Sequence, residues 1–151
     1  MHPLRRLPDG AVPPVRVTSG GMEHDAALAT LRQNLDSSDT DVAHEVYHPD
    51  AVLEFPQSGE RFEGVENFKH WRAMYPAEVD LEIDRFRGAG DIWIAEVRGR
   101  YDGGPWNFGV SILEFRGEKL ARETIYYGEP WEAPEWRAQW RAAPPVGGGP
   151  R

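Results

Sequence analysis

The chain has 151 residues, enough for one well-formed core and too few for two ordinary domains of about 100 to 150 residues each. Apolar residues make up 40% of it and six residues are tryptophan, which argues against disorder throughout, while a formal charge of -8 repels phosphate backbones and leaves a nucleic-acid role without electrostatic support. With no cysteine, disulfides, thiolate metal ligands and thiol nucleophiles are excluded together.

Residues 1–21 are rich in Pro and Gly without periodicity, as are residues 142–151, so both ends read as flexible tails around a single domain over 22–141. No apolar run has the length of a signal peptide or a membrane span, and the expected location is the cytoplasm. Met22, Ala26, Leu28, Leu31 and Leu35 recur at helical spacing and predict a first helix over about 23–35. The run DSSDTDVAHEVYHPD offers Ser38, Asp39 and Thr40 as caps and places Pro49 after His48, which predicts a short second helix ending at HEVYH.

HEVYH, residues 44–48, matches the H-E-x-x-H pattern in which two histidines one helical turn apart bind zinc. A working site needs both histidines inside regular helix, a third ligand and partners that orient the rings. Here Pro49 follows the second histidine, and the extended metzincin pattern would need Gly and His where the chain has Ala51 and Glu54. Glu63 or Glu66 is available as a third ligand, but only short helices bracket the motif. No metal is therefore expected: Val46 and Tyr47 pack, while His44, Glu45 and His48 face solvent or cap the helix end.

AVLEF (51–55) reads as a strand, PQSGERFEG as a loop, and VENFKHWRAMY (65–75) as a third helix stopped by Pro76. VDLEIDRFRG, DIWIAEVRGRYD, WNFGVSILEFRG and KLARETIYY follow as alternating or β-branched segments between Gly-rich turns, the pattern of an antiparallel meander. Helices first and a curled sheet afterwards give an α+β domain with the helices on one face of the sheet.

The element order, with HPDAVLEFPQSGERFEGVENFKHW and FGVSILEFRGEKLARETIYYGEP, resembles the nuclear transport factor 2-like superfamily, and within it the SnoaL-like branch of polyketide cyclases and ketosteroid isomerases. The resemblance covers about 22–141. It implies a cone-shaped, cystatin-like fold in which a curved antiparallel sheet wraps around the N-terminal helices, a small-molecule pocket inside the cone, no cofactor, and a homodimer. The functional groups of those enzymes do not carry over. The isomerase tyrosine falls near Leu31, the general-base aspartate near Phe55, and the oxyanion-binding aspartate, like the cyclases' essential aspartate, at Ser111. Fold alone leaves the chemistry open.

If Ser111 points inward, alternation puts Asn107, Gly109 and Leu113 on the same face, and the same comparison turns Glu123, Ile125 and Tyr127 inward. Glu123 is then the candidate general acid or base, with Asn107, Ser111 or Tyr127 donating hydrogen bonds to a substrate oxygen. Its structural alternative is an ion pair with Arg61 or Arg122. Phe55 and Trp71 are candidate pocket walls, a one-residue slip would bring Glu54 inward, and Gln57 and Arg61 stand where a loop could line the mouth. His70 reads as a surface residue. Glu96, Arg98 and Arg100 form a charged strand face suited to cross-strand ion pairs or a dimer seam. Trp131, Trp136 and Trp140 read as core or interface packing, or as a lid. Two functions fit: a cofactor-independent isomerase, cyclase or lyase acting on a small apolar carbonyl compound, or a non-catalytic ligand-binding or accessory dimer. A Glu123 locked to an arginine favours the second.

Overall fold

A computed structural model describes residues 21–144, so the two expected tails lie outside the described residues except at their inner edges. Helix α1 (His24–Asp36) buries Ala27 and Leu31, and α2 (Thr40–His44) starts where the Asp39 carboxylate accepts hydrogen bonds from the amides of Asp41 (2.9 Å) and Val42 (3.1 Å). The Gln33 and Asn34 side chains donate to the carbonyls of Val42 and Ala43, which ties the end of α2 to α1. Beyond it run β1 (Tyr47–Phe55), β2 (Glu60–Glu63), α3 (Val65–Ala73), β3 (Val79–Ala89), β4 (Ile92–Tyr101), β5 (Asn107–Arg116), β6 (Lys119–Gly128) and a 3-10 helix (Glu135–Trp140).

The strands form one sheet in the order β2-β1-β6-β5-β4-β3. Every neighbouring pair is antiparallel except β1 with β6, which run parallel, so the sheet is mixed at that one seam. The register shift at Ile83/Arg85 marks a bulge in β3, and that between Glu114↔Arg122 and Phe115↔Leu120 marks one at Ala121 in β6; bulges bend strands and give the sheet its curl. Phe68 of α3 and Ala27 and Leu31 of α1 share one core with Leu53, Trp93, Ala95, Leu113, Phe115 and Leu120 from the sheet. The helices thus lie on a single face, as their apolar stripes require.

Three sequence expectations need correction. PQSGERFEG is not all loop: the chain turns at Gly59 (φ 75°) and returns as β2, pairing Phe55 with Glu60 and Leu53 with Phe62. β1 begins at Tyr47 rather than Ala51, so HEVYH is split, with His44 ending a helix and His48 in a strand, where its Nε2–H donates to the Arg116 carbonyl 2.6 Å away. The two rings do not share a helical turn. His44 is buried rather than exposed, for the reason given below. Among the described residues, no helix is long and apolar enough to cross a membrane.

Candidate functional site

The register sorts the concave face into rows. Leu53, Glu123, Leu113, Trp93 and Gly88 stand side by side from β1 to β3. The next row holds Ile125, Ser111, Ala95 and Phe86, with Phe55 two residues beyond Leu53; the next, Tyr127, Gly109, Val97 and Ile83; the outermost, Asn107, Gly99 and Leu81. Ser111, Ala95, Gly109 and Gly99 are a block of small residues in the middle of the sheet. A side chain is admitted above them that larger residues would exclude.

Tyr127 takes part of that space. A Cβ at Gly99 would fall 2.9 Å from the Tyr127 hydroxyl, and one at Gly109 would fall 2.8 Å from its ring. The hydroxyl donates to the Gly99 carbonyl at 3.2 Å, and Tyr101 meets the ring edge-on. Ser111 and Asn107 are buried at 9% exposure each, yet among the described residues neither side chain has a hydrogen-bond partner. Trp71, packed against Phe55 and Phe62, buries its indole N–H without a partner as well.

Glu123, only 5% exposed, accepts a hydrogen bond from the Tyr47 hydroxyl at 2.5 Å. Arg72 of α3 donates through Nη1 to the same hydroxyl (3.2 Å) and to Nε2 of His44 (3.1 Å), and its Nη2 lies 3.9 Å from the Glu123 carboxylate. Nδ1 of His44 is 2.7 Å from the Thr40 carbonyl, which only accepts, so the proton sits on Nδ1 and Nε2 is free to accept from Arg72. Burial depresses the His44 pKa; the Thr40 bond opposes this, and the Arg72 and Lys69 charges reinforce it. For Tyr47, burial raises the pKa, with Glu123 adding to the shift and Arg72 opposing it, so the phenol stays a donor. Burial alone would lower the Arg72 pKa, but Tyr47 and Glu123 outweigh it and the guanidinium keeps its charge. Glu123 is therefore held by the Tyr47 hydroxyl and paired in charge with Arg72, rather than with Arg61 or Arg122.

Glu54 and Arg61 are not part of this group. With Leu53 fully buried and Phe55 packed on the core, alternation turns Glu54 to the convex face, where its Oε1 accepts from Arg61 (2.8 Å) and Arg122 (2.7 Å). Gln57 uses its carbonyl oxygen to accept from the Tyr127 amide at 2.6 Å, extending the β1–β6 seam. His44, Tyr47 and Arg72 are the residues that sequence reasoning missed. A signal existed for the last: Arg72 lies four residues after the fully buried Phe68, on the same stripe of the helix.

The convex face has a different character. Arg85 and Arg87 share the Glu96 carboxylate, Arg98 bonds Asp84 and Glu82, and Arg100 bonds Asp80. An open groove of about 1230 Å³ lies between these charges and Phe108, Val110, Tyr126 and Trp131. Trp131, Trp136 and Trp140 are 83%, 73% and 72% exposed, so they are not core residues of this chain.

Comparison with known proteins agrees with this architecture. The model of the SnoaL-like domain matches residues 28–123. A structure of an NTF-2 like protein of unknown function from Burkholderia xenovorans LB400 is 36% identical, with a TM-score of 0.73 over 83% of this chain and 100% of that one. A protein from Kribbella flavida DSM 17836, provisionally named a ketosteroid isomerase, is 22% identical, with a TM-score of 0.72 over 82% and 93% of the two chains. An LEH-like epoxide hydrolase from M. tuberculosis is 17% identical, with a TM-score of 0.61 over 71% and 86%. The last two likenesses are of fold. No curated protein matches the chain. A matched domain spanning more than half the sequence, on the cone of helices and curved sheet described above, makes this chain a member of the SnoaL-like domain family within the nuclear transport factor 2-like superfamily.

Proposed function

We propose that this chain binds a small, largely apolar molecule carrying an acceptor oxygen, such as a ketone, on the concave side of the sheet, and holds it without turnover. The observation that carries this reading is the buried, unpartnered indole N–H of Trp71, together with Ser111 and Asn107 on a face otherwise lined by Phe55, Val97 and Ile125. A buried donor without a partner costs about 1–3 kcal/mol, and a ligand oxygen that accepts from it recovers that cost on binding. An apolar lining with a few converging polar groups is the usual make-up of a small-molecule site. Glu123 serves as part of the frame, because Tyr47 and Arg72 already occupy it.

A catalytic reading has one observation in its favour. Glu123 sits on the same face as Ser111, diagonal to it across the β5–β6 pair, and such diagonal neighbours are about 7–8 Å apart. A ketone held by the Ser111 hydroxyl would present its α-hydrogens towards that carboxylate, as an isomerase or lyase requires.

One experiment separates the two. A panel of small cyclic ketones is tested for binding by thermal shift, and the bound ketones are followed in D2O by proton NMR. Binding without α-hydrogen exchange supports the ligand-binding reading. Exchange that Glu123→Gln abolishes while binding persists would replace it with the catalytic one. A panel that never binds, or binds equally well to Ser111→Leu, contradicts both.

A further inference from the structure

We infer that Tyr127 sets the length of the ligand, confining it to a compact, single-ring ketone over Ser111 and closing the concave face to elongated ones. The inference rests on the ligand reading above and deepens it, because it concerns how far along the sheet that site extends.

It starts from two polar side chains on one strand. Ser111 and Asn107 face the same way from β5, both buried and both without a hydrogen-bond partner among the described residues, four residues and so about 13 Å apart. Two donors at that spacing would suit a long molecule with an oxygen at each end. Gly109 lies between them, and the space above it is filled: it is there that an added Cβ would meet Cδ2 of Tyr127. The same ring reaches β4, where an added Cβ at Gly99, the cross-strand neighbour of Asn107, would meet the Tyr127 hydroxyl. An aromatic ring therefore stands between the two polar groups.

The ring is held in that position. Its hydroxyl donates to the Gly99 carbonyl, its backbone N–H donates to Gln57, and Tyr101 packs against it with ring centroids 6.0 Å apart. Only glycine at 99 and 109 leaves room for it, since both added carbons would come closer than 3.0 Å.

Burial along the concave face shows what space is left on the Ser111 side. Leu53 and Leu113, one row deeper, are fully buried, whereas Phe55, Ile125 and Val97 are only half-buried, so the hollow begins at the row of Ser111 and the fully buried Ala95. From Ser111 it is two residues, about 7 Å, to the Leu113 row on one side and to the Tyr127 row on the other. A single carbocycle fits between those walls and a fused pair does not. Added methylenes favour the larger of two ketones wherever there is room for both, so a preference for the smaller one is a steric signature.

Calorimetric titration of the full chain with cyclohexanone and with its fused two-ring counterpart, 2-decalone, tests this. Cyclohexanone is expected to bind at least about tenfold more tightly. Tyr127→Leu, which removes the ring, should reverse that order, and Tyr127→Phe, which keeps the ring and loses only the hydroxyl, should retain it. If Tyr127→Leu does not fold, the order in the unaltered chain and in Tyr127→Phe still decides. An unaltered chain that binds 2-decalone as tightly as cyclohexanone overturns the inference and leaves the ligand reading standing, as does a folded Tyr127→Leu with the order unchanged. A chain that binds neither ketone, unaltered or substituted, overturns both.

Discussion

The two faces of this sheet use charge in opposite ways. On the convex face, arginines and carboxylates alternate along β3 and β4 in ion pairs that are partly exposed, as Arg85 (61% exposed side chain) with Glu96 (30%) illustrates. On the concave face there is, among the described residues, one carboxylate, Glu123, and three side chains from different elements are arranged around it. A solvated pair contributes little, because water screens it and two long side chains lose freedom in making it. A buried charge is a different matter: it is stable only while its counter-ion and hydrogen bonds are in place. Density of ion pairs is thus a poor guide to where electrostatics matter in this protein.

Removing Arg72 should break that contrast most severely. Arg72→Leu leaves Glu123 buried without its counter-ion and is expected to cost about 3–5 kcal/mol in urea unfolding. Tyr47→Phe, which deletes only the hydroxyl between Arg72 and Glu123, should cost about 1–3 kcal/mol by the same measurement. Gly109→Ala pushes a Cβ into the Tyr127 ring and the Tyr126 carbonyl, at a cost of about 1–3 kcal/mol. Adding Tyr127→Ala should give a double-mutant total smaller than the sum, since the two groups compete for one space. At the other extreme, Arg85→Gln on the convex face should change stability by less than about 1 kcal/mol.

Protonation offers a gentler perturbation of the same contrast. His44 has a depressed pKa in the folded chain, so below its ordinary value of 6.5 the unfolded state binds more protons. Stability should therefore fall as pH drops from about that value through the depressed one, as the imidazolium loses its capacity to accept from Arg72 and meets the Arg72 and Lys69 charges. The pH slope of the unfolding free energy, compared between the unaltered chain and His44→Gln, reads this directly. The slope attributable to His44 should disappear in the variant.

How much of this was legible in the sequence depended on whether the signal was local. Alternation in NFGVSILEF groups Asn107 with Ser111 and alternation in KLARETIYY groups Glu123 with Tyr127, because a buried strand face imposes a period of two, while the family resemblance turns both sets inward. β2 was hidden because an edge strand of four residues carrying Glu60, Arg61 and Glu63 has the composition of a loop. The Glu123 partners were hidden for another reason. Tyr47 is 76 residues away in sequence, and His44 lies 28 before Arg72, so only the closed fold brings them together. HEVYH drew attention to the correct neighbourhood through the wrong chemistry: His44 holds Arg72, and Tyr47, one of the motif's two variable positions, touches the carboxylate.

The claim that matters most is that the concave face, flanked by the Trp71 N–H at its β1–β2 edge, receives the ligand. The Trp71 indole resonance in a nitrogen-15 spectrum, assigned by its loss in Trp71→Phe, tests it during titration with a small cyclic ketone. The account predicts a saturable shift of that resonance together with the Ser111 amide, while Phe108 and Tyr126 stay unmoved. Shifts confined to the Phe108, Tyr126 and Trp131 groove, with the Trp71 resonance stationary, would contradict it.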